Sequence, residues 1–146
     1  MGKLKRLMSL PPARRRRVAG AWVLLVKVRL GLWVLPFSRV THRLEVWAAR
    51  RIAAREVADP HELAWAVRAA SRGVPGGGHC LTQALAARAL LRRHGYEARL
   101  HIGVSREGVL GFAAHAWVEL DGEVLIGDAD LDRYQVLESP RRADAE

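Results

Sequence analysis

The pair Asp121-Gly122, set between two runs in which apolar and polar residues alternate, narrows the possible folds of this chain more than any other feature. A two-residue reversal of a β-ribbon needs φ > 0 at both turn positions, and Asp-Gly tolerates that with little strain. With those two residues as the whole loop, Leu120 faces Glu123. Carried outward, the same pairing sets His115 across from Asp128, with Cα atoms roughly 4.5 Å apart in a non-hydrogen-bonded pair. A one-residue bulge would break this register and make Asp130 the reserve candidate. Alternation turns Ala114, Ala116, Val118 and Leu120 to one side. His115, Trp117 and Glu119 turn to the other, with Val124, Ile126 and Asp128 beside them.

A helix precedes this hairpin. Apolar residues recur at helical spacing from Leu81 to Leu91, Arg92, Arg93 and His94 fill a last turn, and Gly95 provides a C-cap. The spacing predicts a helix over 79–94, approached through Gly76 to Gly78. Cys80, the single cysteine of the chain, then lies in the first turn. Unpaired N–H groups and the positive end of the helix dipole favour the thiolate there, and the same N–H groups could hold an oxyanion. A thiol on a helix start, followed by a His and an Asp on a hairpin, is the order in which a nucleophile and its oriented base would be built. Trp117 is expected to cover His115 against water or contact substrate. Gln83, one turn beyond Cys80, could donate to an oxyanion. His79 adjoins the thiol in sequence but does not face it on a helix, and His94 is read as a cation at the helix C-terminus.

The chain has 146 residues, enough for one domain with a real core, and half of them are hydrophobic. One cysteine excludes an internal disulfide and a structural zinc site, and a reducing cytoplasm is its natural setting. No cofactor is expected. The net charge is +9, from 24 Lys and Arg against 15 Asp and Glu. Much of it falls early, in Lys3, Lys5, Arg6 and Arg14 to Arg17. Residues 1–10 are read as a solvated, partly disordered start. An amphipathic helix is expected over 12–35, opened by Pro11-Pro12 and closed before Pro36. Lys27 and Arg29 interrupt its apolar run, which rules out a spanning helix. The composition favours packing on the core or on a partner protein over contact with a membrane surface. A second helix is expected over 39–56, capped by Ser38 or Thr41, and a third from Pro60 to Arg72, capped by Asp59. A strand over 98–104 and a short edge strand near 134–137 complete the sheet.

The quoted segment resembles the transglutaminase-like cysteine protease core. More narrowly it resembles the lasso-peptide leader peptidase family, the peptidase half of the lasso B protein. The resemblance rests on Cys80-Leu81 with Ala84-Leu85, the helix end from Leu90 to Gly95, Ile102-Gly103-Val104, and Ala114-His115-Ala116-Trp117-Val118-Glu119, about half the chain. It implies an α+β fold with a papain-like core, a Cys-bearing helix packed on a small antiparallel sheet after N-terminal helices. The organisation expected is a helical region over 1–75 that docks substrate or partner within the same domain, a catalytic core over 76–138 and a flexible tail over 139–146. It also implies a cysteine endopeptidase that removes the leader from a ribosomally made precursor, with Cys80, His115 and Asp128 as its triad. The implied partners are the precursor peptide, a separate leader-recognition protein and a cyclase acting afterwards. Two rival classes share some of these features. A transglutaminase-like acyltransferase would use the same triad and pass the acyl group to an amine. A basic module would bind nucleic acid in a salt-dependent way, but the cationic residues are not interleaved with stacking aromatics, which counts against that partner.

Overall fold

The computed structural model describes residues 2–50, 57–74, 80–105, 113–127 and 135–137. Among the described residues, five helices precede a sheet: α1 (Gly2–Met8), α2 (Pro12–Val34), α3 (Phe37–Ala49), α4 (Pro60–Ser71) and α5 (Cys80–Arg93). The strands are β1 (Arg99–Ser105), β2 (Ala113–Leu120), β3 (Glu123–Ile126) and β4 (Gln135–Leu137), in the antiparallel order β3-β2-β1-β4. The fold is α+β, helices ahead of a small antiparallel sheet.

Prolines set the ends of the early helices. Pro12 occupies the first turn of α2, where a missing N–H costs nothing. Leu35 is driven to extended geometry (φ −114°, ψ 151°) by the proline that follows it. With Pro36 as its N-cap, α3 starts at Phe37, two residues earlier than the expected boundary, and neither Ser38 nor Thr41 caps it. The Thr41 hydroxyl instead donates to the Ser38 carbonyl inside the helix, at 2.9 Å. The helix expected to run to 56 ends at Ala49, where Arg50 leaves helical geometry (φ −80°, ψ 74°), and residues 51–56 lie outside the described residues. Asp59 caps α4 as the sequence indicates, accepting the His61 N–H at 2.8 Å. The expectation of a partly disordered start is corrected, since residues 2–8 form α1. Leu7 and Leu10 pack against the core, and that apolar contact orders a segment whose charge alone would keep it solvated.

One buried cluster joins α2, α4 and α5 to one face of the sheet. Leu25, Val67, Leu91, Leu100, Val118 and Ile126 are its largest fully buried side chains, each worth about 1.5–3 kcal/mol of burial. Alanines Ala84, Ala86 and Ala87 let α5 approach its neighbours closely, which buries a helix on more than one side. Its end is a Schellman motif: the Tyr96 N–H donates to Leu91 O at 3.0 Å and the Gly95 N–H to Arg92 O at 2.9 Å. Gly95 takes the positive φ of 90° that the motif requires. Tyr96 then donates its hydroxyl to Ala58 O at 2.7 Å, tying the end of α5 to the start of α4.

The hairpin turn is Asp121-Gly122, at φ 50° and 84°. Its register, however, changes inside β3. Leu120 pairs with Glu123 and Glu119 with Val124, but Val118 pairs with Ile126, which leaves Leu125 as an extra residue in a β-bulge. The cause is visible in the packing. The bulge lets two consecutive side chains, Leu125 and Ile126, enter the core, and the Leu125 carbonyl turns out to accept Arg68 of α4 at 2.6 Å. The uninterrupted register expected from the turn is therefore corrected. Ile126 sides with Val118 on the core face rather than with His115, and the turn no longer sets Asp128 opposite His115. Asp128 and Asp130 themselves lie outside the described residues, as do the Gly76 to Gly78 approach, His79, the turn after Ser105 and the tail.

Candidate active site

Cys80 is the first residue of α5 and is half-buried, with its side chain against the edge of the core. An α-helix leaves its first N–H groups without intrahelical acceptors, so the thiol stands where both a thiolate and an oxyanion find donors. Thr82 and Ala84 behind it are buried, and this fixes the helix end as a rigid mount. Gln83 is half-buried on the same turn.

His115 lies on β2 between Ala114 and Ala116. Because Ala116, Val118 and Leu120 belong to the buried cluster, strand alternation turns His115, Trp117 and Glu119 to the other face. Cross-strand register completes that face: Trp117 pairs with His101, His115 with Gly103 and Glu119 with Arg99. Three rings line up on it. Trp117 is stacked at 5.6 Å from His101 and 6.1 Å from His115, with interplanar angles of 23° and 21°. Trp117 is only 5% exposed, so it walls off one side of the His115 ring, an arrangement worth about 0.5–1.5 kcal/mol per ring pair beyond burial. Gly103, with no side chain, adds no bulk beside the ring. At the far end of the row His101 Nε2 lies 3.3 Å from Glu119 Oε2, though it is not aligned for a hydrogen bond.

The orientation of His115 is set by the backbone. Its Nε2 is 2.7 Å from the carbonyl oxygen of Gly127. A carbonyl only accepts, so Nε2 carries the proton and Nδ1 is the basic nitrogen of the neutral ring. Gly127 reaches this place with φ 84°. A Cβ there would come within 2.7 Å of Ala116 O and 2.8 Å of Trp117 Cβ, so the strand end sits flush against β2 only because residue 127 has no side chain. The sequence assigns the orienting role to a carboxylate; among the described residues this carbonyl holds the ring. The signal that could have found it is Gly127 itself, a glycine directly after a strand.

The described residues bring His115, Trp117, His101 and Gly127 together. No group of three or more His, Cys, Asp or Glu side chains among them is placed to hold a metal. No helix of the described residues is long and apolar enough to cross a membrane. His94, expected as a C-terminal cation, is corrected: its Nδ1 accepts the Ala58 N–H at 3.2 Å. Burial first, then the Arg17 and Arg93 guanidinium groups, hold its pKa below the usual imidazole value.

Comparison with curated proteins and with solved structures finds no match. A family model, described as the transglutaminase-like superfamily, matches residues 22–139. That span covers most of the chain and contains the Cys-bearing helix, the His-bearing strand and the hairpin with its bulge. Fold, motif order and this match agree, and the chain belongs to the transglutaminase-like superfamily.

Proposed function

We propose that this protein is a cysteine endopeptidase that removes the leader from a ribosomally synthesised lasso-peptide precursor. The observation that carries the reading is the held imidazole: a His115 ring with its proton fixed on Nε2 by a backbone acceptor, in a superfamily whose chemistry starts from a thiol. Its Nδ1 is then the nitrogen that takes the proton of Cys80.

The steps follow from these roles. Cys80 sulfur attacks the scissile carbonyl carbon as its proton passes to His115, and the first-turn N–H groups of α5 receive the oxyanion, with Gln83 as a further donor. The C–N bond breaks, and the imidazolium returns the proton to the leaving amine. Water, deprotonated by His115, attacks the thioester, releases the carboxylate and restores the thiol. Trp117 keeps bulk water off the ring. Asp128, with Asp130 in reserve, stabilises the imidazolium that forms between these steps. A separate leader-recognition protein delivers the precursor, the core peptide passes to a cyclase, and the setting is the reducing cytoplasm.

The test is incubation of the purified chain with the precursor peptide, with and without the recognition protein, read by mass spectrometry. Two new fragments whose masses sum to precursor plus water support hydrolysis. A product that joins the acyl fragment to an added amine supports the acyltransferase alternative instead. Cys80→Ala must abolish cleavage while the circular dichroism stays native, and unchanged cleavage by that variant would sink the proposal. Asp128→Asn and Asp130→Asn, assayed side by side, identify the third member by which of them lowers kcat.

A further inference from the structure

The outer face of α2 is apolar and open to solvent. Val28, Leu25 and Ala21 point into the core, as the inner face of a packed helix should. On the side away from them stand Val23 (45% exposed), Leu30 (55%) and Val34 (78%), with Lys27 on the turn between Val23 and Leu30, Trp33 (84%) beside the row and Phe37 (40%) continuing it at the head of α3. From Val23 to Val34 the row is about 17 Å long at a rise of ~1.5 Å per residue. A helix is normally apolar only on the side that it buries. This one is buried on one side only, and a soluble surface rarely carries such a row without use for it.

The charge around the row is one-sided. Residues 1–44 contain eleven Lys and Arg and no Asp or Glu, while residues 45–146 contain thirteen against fifteen. The whole net positive charge of the protein is thus carried by the segment that carries the exposed apolar row. Arg14 and Arg17 lean on Glu62, whereas Arg16 and Lys27 stand exposed along the row and Arg39 beyond its end. Trp33 and Val34 are the most exposed of the row, which suits a flat, deformable acceptor. A run of cations with no acid among them suits an acceptor of uniform negative charge.

We propose that α2 and the start of α3 form a peripheral docking surface for an anionic lipid bilayer, the apolar row entering the headgroup boundary and the cations meeting lipid phosphates. The helix lies on the surface and does not cross it, in keeping with its broken hydropathy. This inference is independent of the peptidase reading.

Co-sedimentation of the full chain with vesicles tests it. Vesicles of phosphatidylglycerol and phosphatidylcholine should retain the protein, pure phosphatidylcholine should retain far less, and salt should release it. Leu30→Ser/Trp33→Ser/Val34→Ser, at exposed positions that the core does not use, should weaken partitioning by about tenfold or more. Arg16→Gln and Lys27→Gln should each weaken it by about fivefold. Binding unaffected by the serine variant, or equal on both vesicle types, overturns the proposal. So does a dimer in light scattering that the serine variant dissolves while vesicles bind neither form, because the row is then an interface between copies of this chain.

Discussion

The Nε2 of His115 donates to the backbone carbonyl of Gly127 at 2.7 Å, across the seam where β2 meets the end of β3. The bond joins the imidazole to a glycine whose left-handed φ of 84° and missing side chain are both required by the closeness of Ala116 and Trp117. An imidazole held this way has one tautomer, and the tautomer decides which nitrogen can act as base.

Gly127→Ala should therefore damage fold and activity together. The positive φ costs an L-residue about 1–2 kcal/mol, and the added methyl meets backbone rather than a flexible side-chain end, so β2 or β3 must shift. Urea unfolding should report a loss of about 2 kcal/mol or more, and nitrogen NMR of labelled His115 should lose the signature of an Nε2–H tautomer. A variant of native stability and unchanged tautomer would show that the carbonyl does not hold the ring.

His115→Gln keeps a polar side chain of similar reach but removes the base. Peptide cleavage should fall by about 10²–10⁴ in kcat, with the unfolding midpoint close to that of the parent. If kcat holds and only KM rises, His115 binds substrate and the proton passes elsewhere.

Trp117 is buried between two imidazoles, so Trp117→Ala should cost about 3–5 kcal/mol through the cavity it leaves. Trp117→Phe retains a ring and should recover most of that loss. Comparing kcat of the two variants at a temperature where both are folded separates the cover over His115 from simple packing; equal kcat in both would assign Trp117 to packing alone.

His94 gives the fold a pH dependence. Its folded pKa lies below the unfolded one, through burial and the nearby guanidinium groups, so the unfolded chain binds the extra proton first. The stability it contributes is intact above about pH 6.5, the ordinary imidazole value. It is lost as pH falls from there through the folded pKa. Protonation also removes the Nδ1 lone pair that receives the Ala58 N–H. Unfolding midpoints of the parent and of His94→Gln, measured from pH 7.5 to 5, should converge as the parent loses its advantage. Parallel curves would mean that another group governs the decline.

Local chemistry was enough to read much of the architecture. Pro12 and Pro36 bound α2, Asp59 caps α4, Gly95 ends α5 and Asp121-Gly122 reverses β2 into β3, because each of these features is settled by a residue's own φ preference or side-chain reach within a few positions. The placement of Cys80 at the head of a helix and of His115 on a strand followed from the same short-range signals. What no local rule could supply was the bulge at Leu125, since its cause is distant: Arg68, on another helix, takes the carbonyl that the bulge turns outward. That single shift moved Ile126 into the core and brought the Gly127 carbonyl to His115. His101 joined the row of rings for a similar reason, because the register of β1 against β2 is set across a connection whose length the alternation pattern does not reveal. The sequence determined which segments turn, twist and cap, as these are properties of a few neighbouring residues. Only the tertiary structure decided which atom holds the imidazole, because that choice was made by packing between segments far apart in the chain.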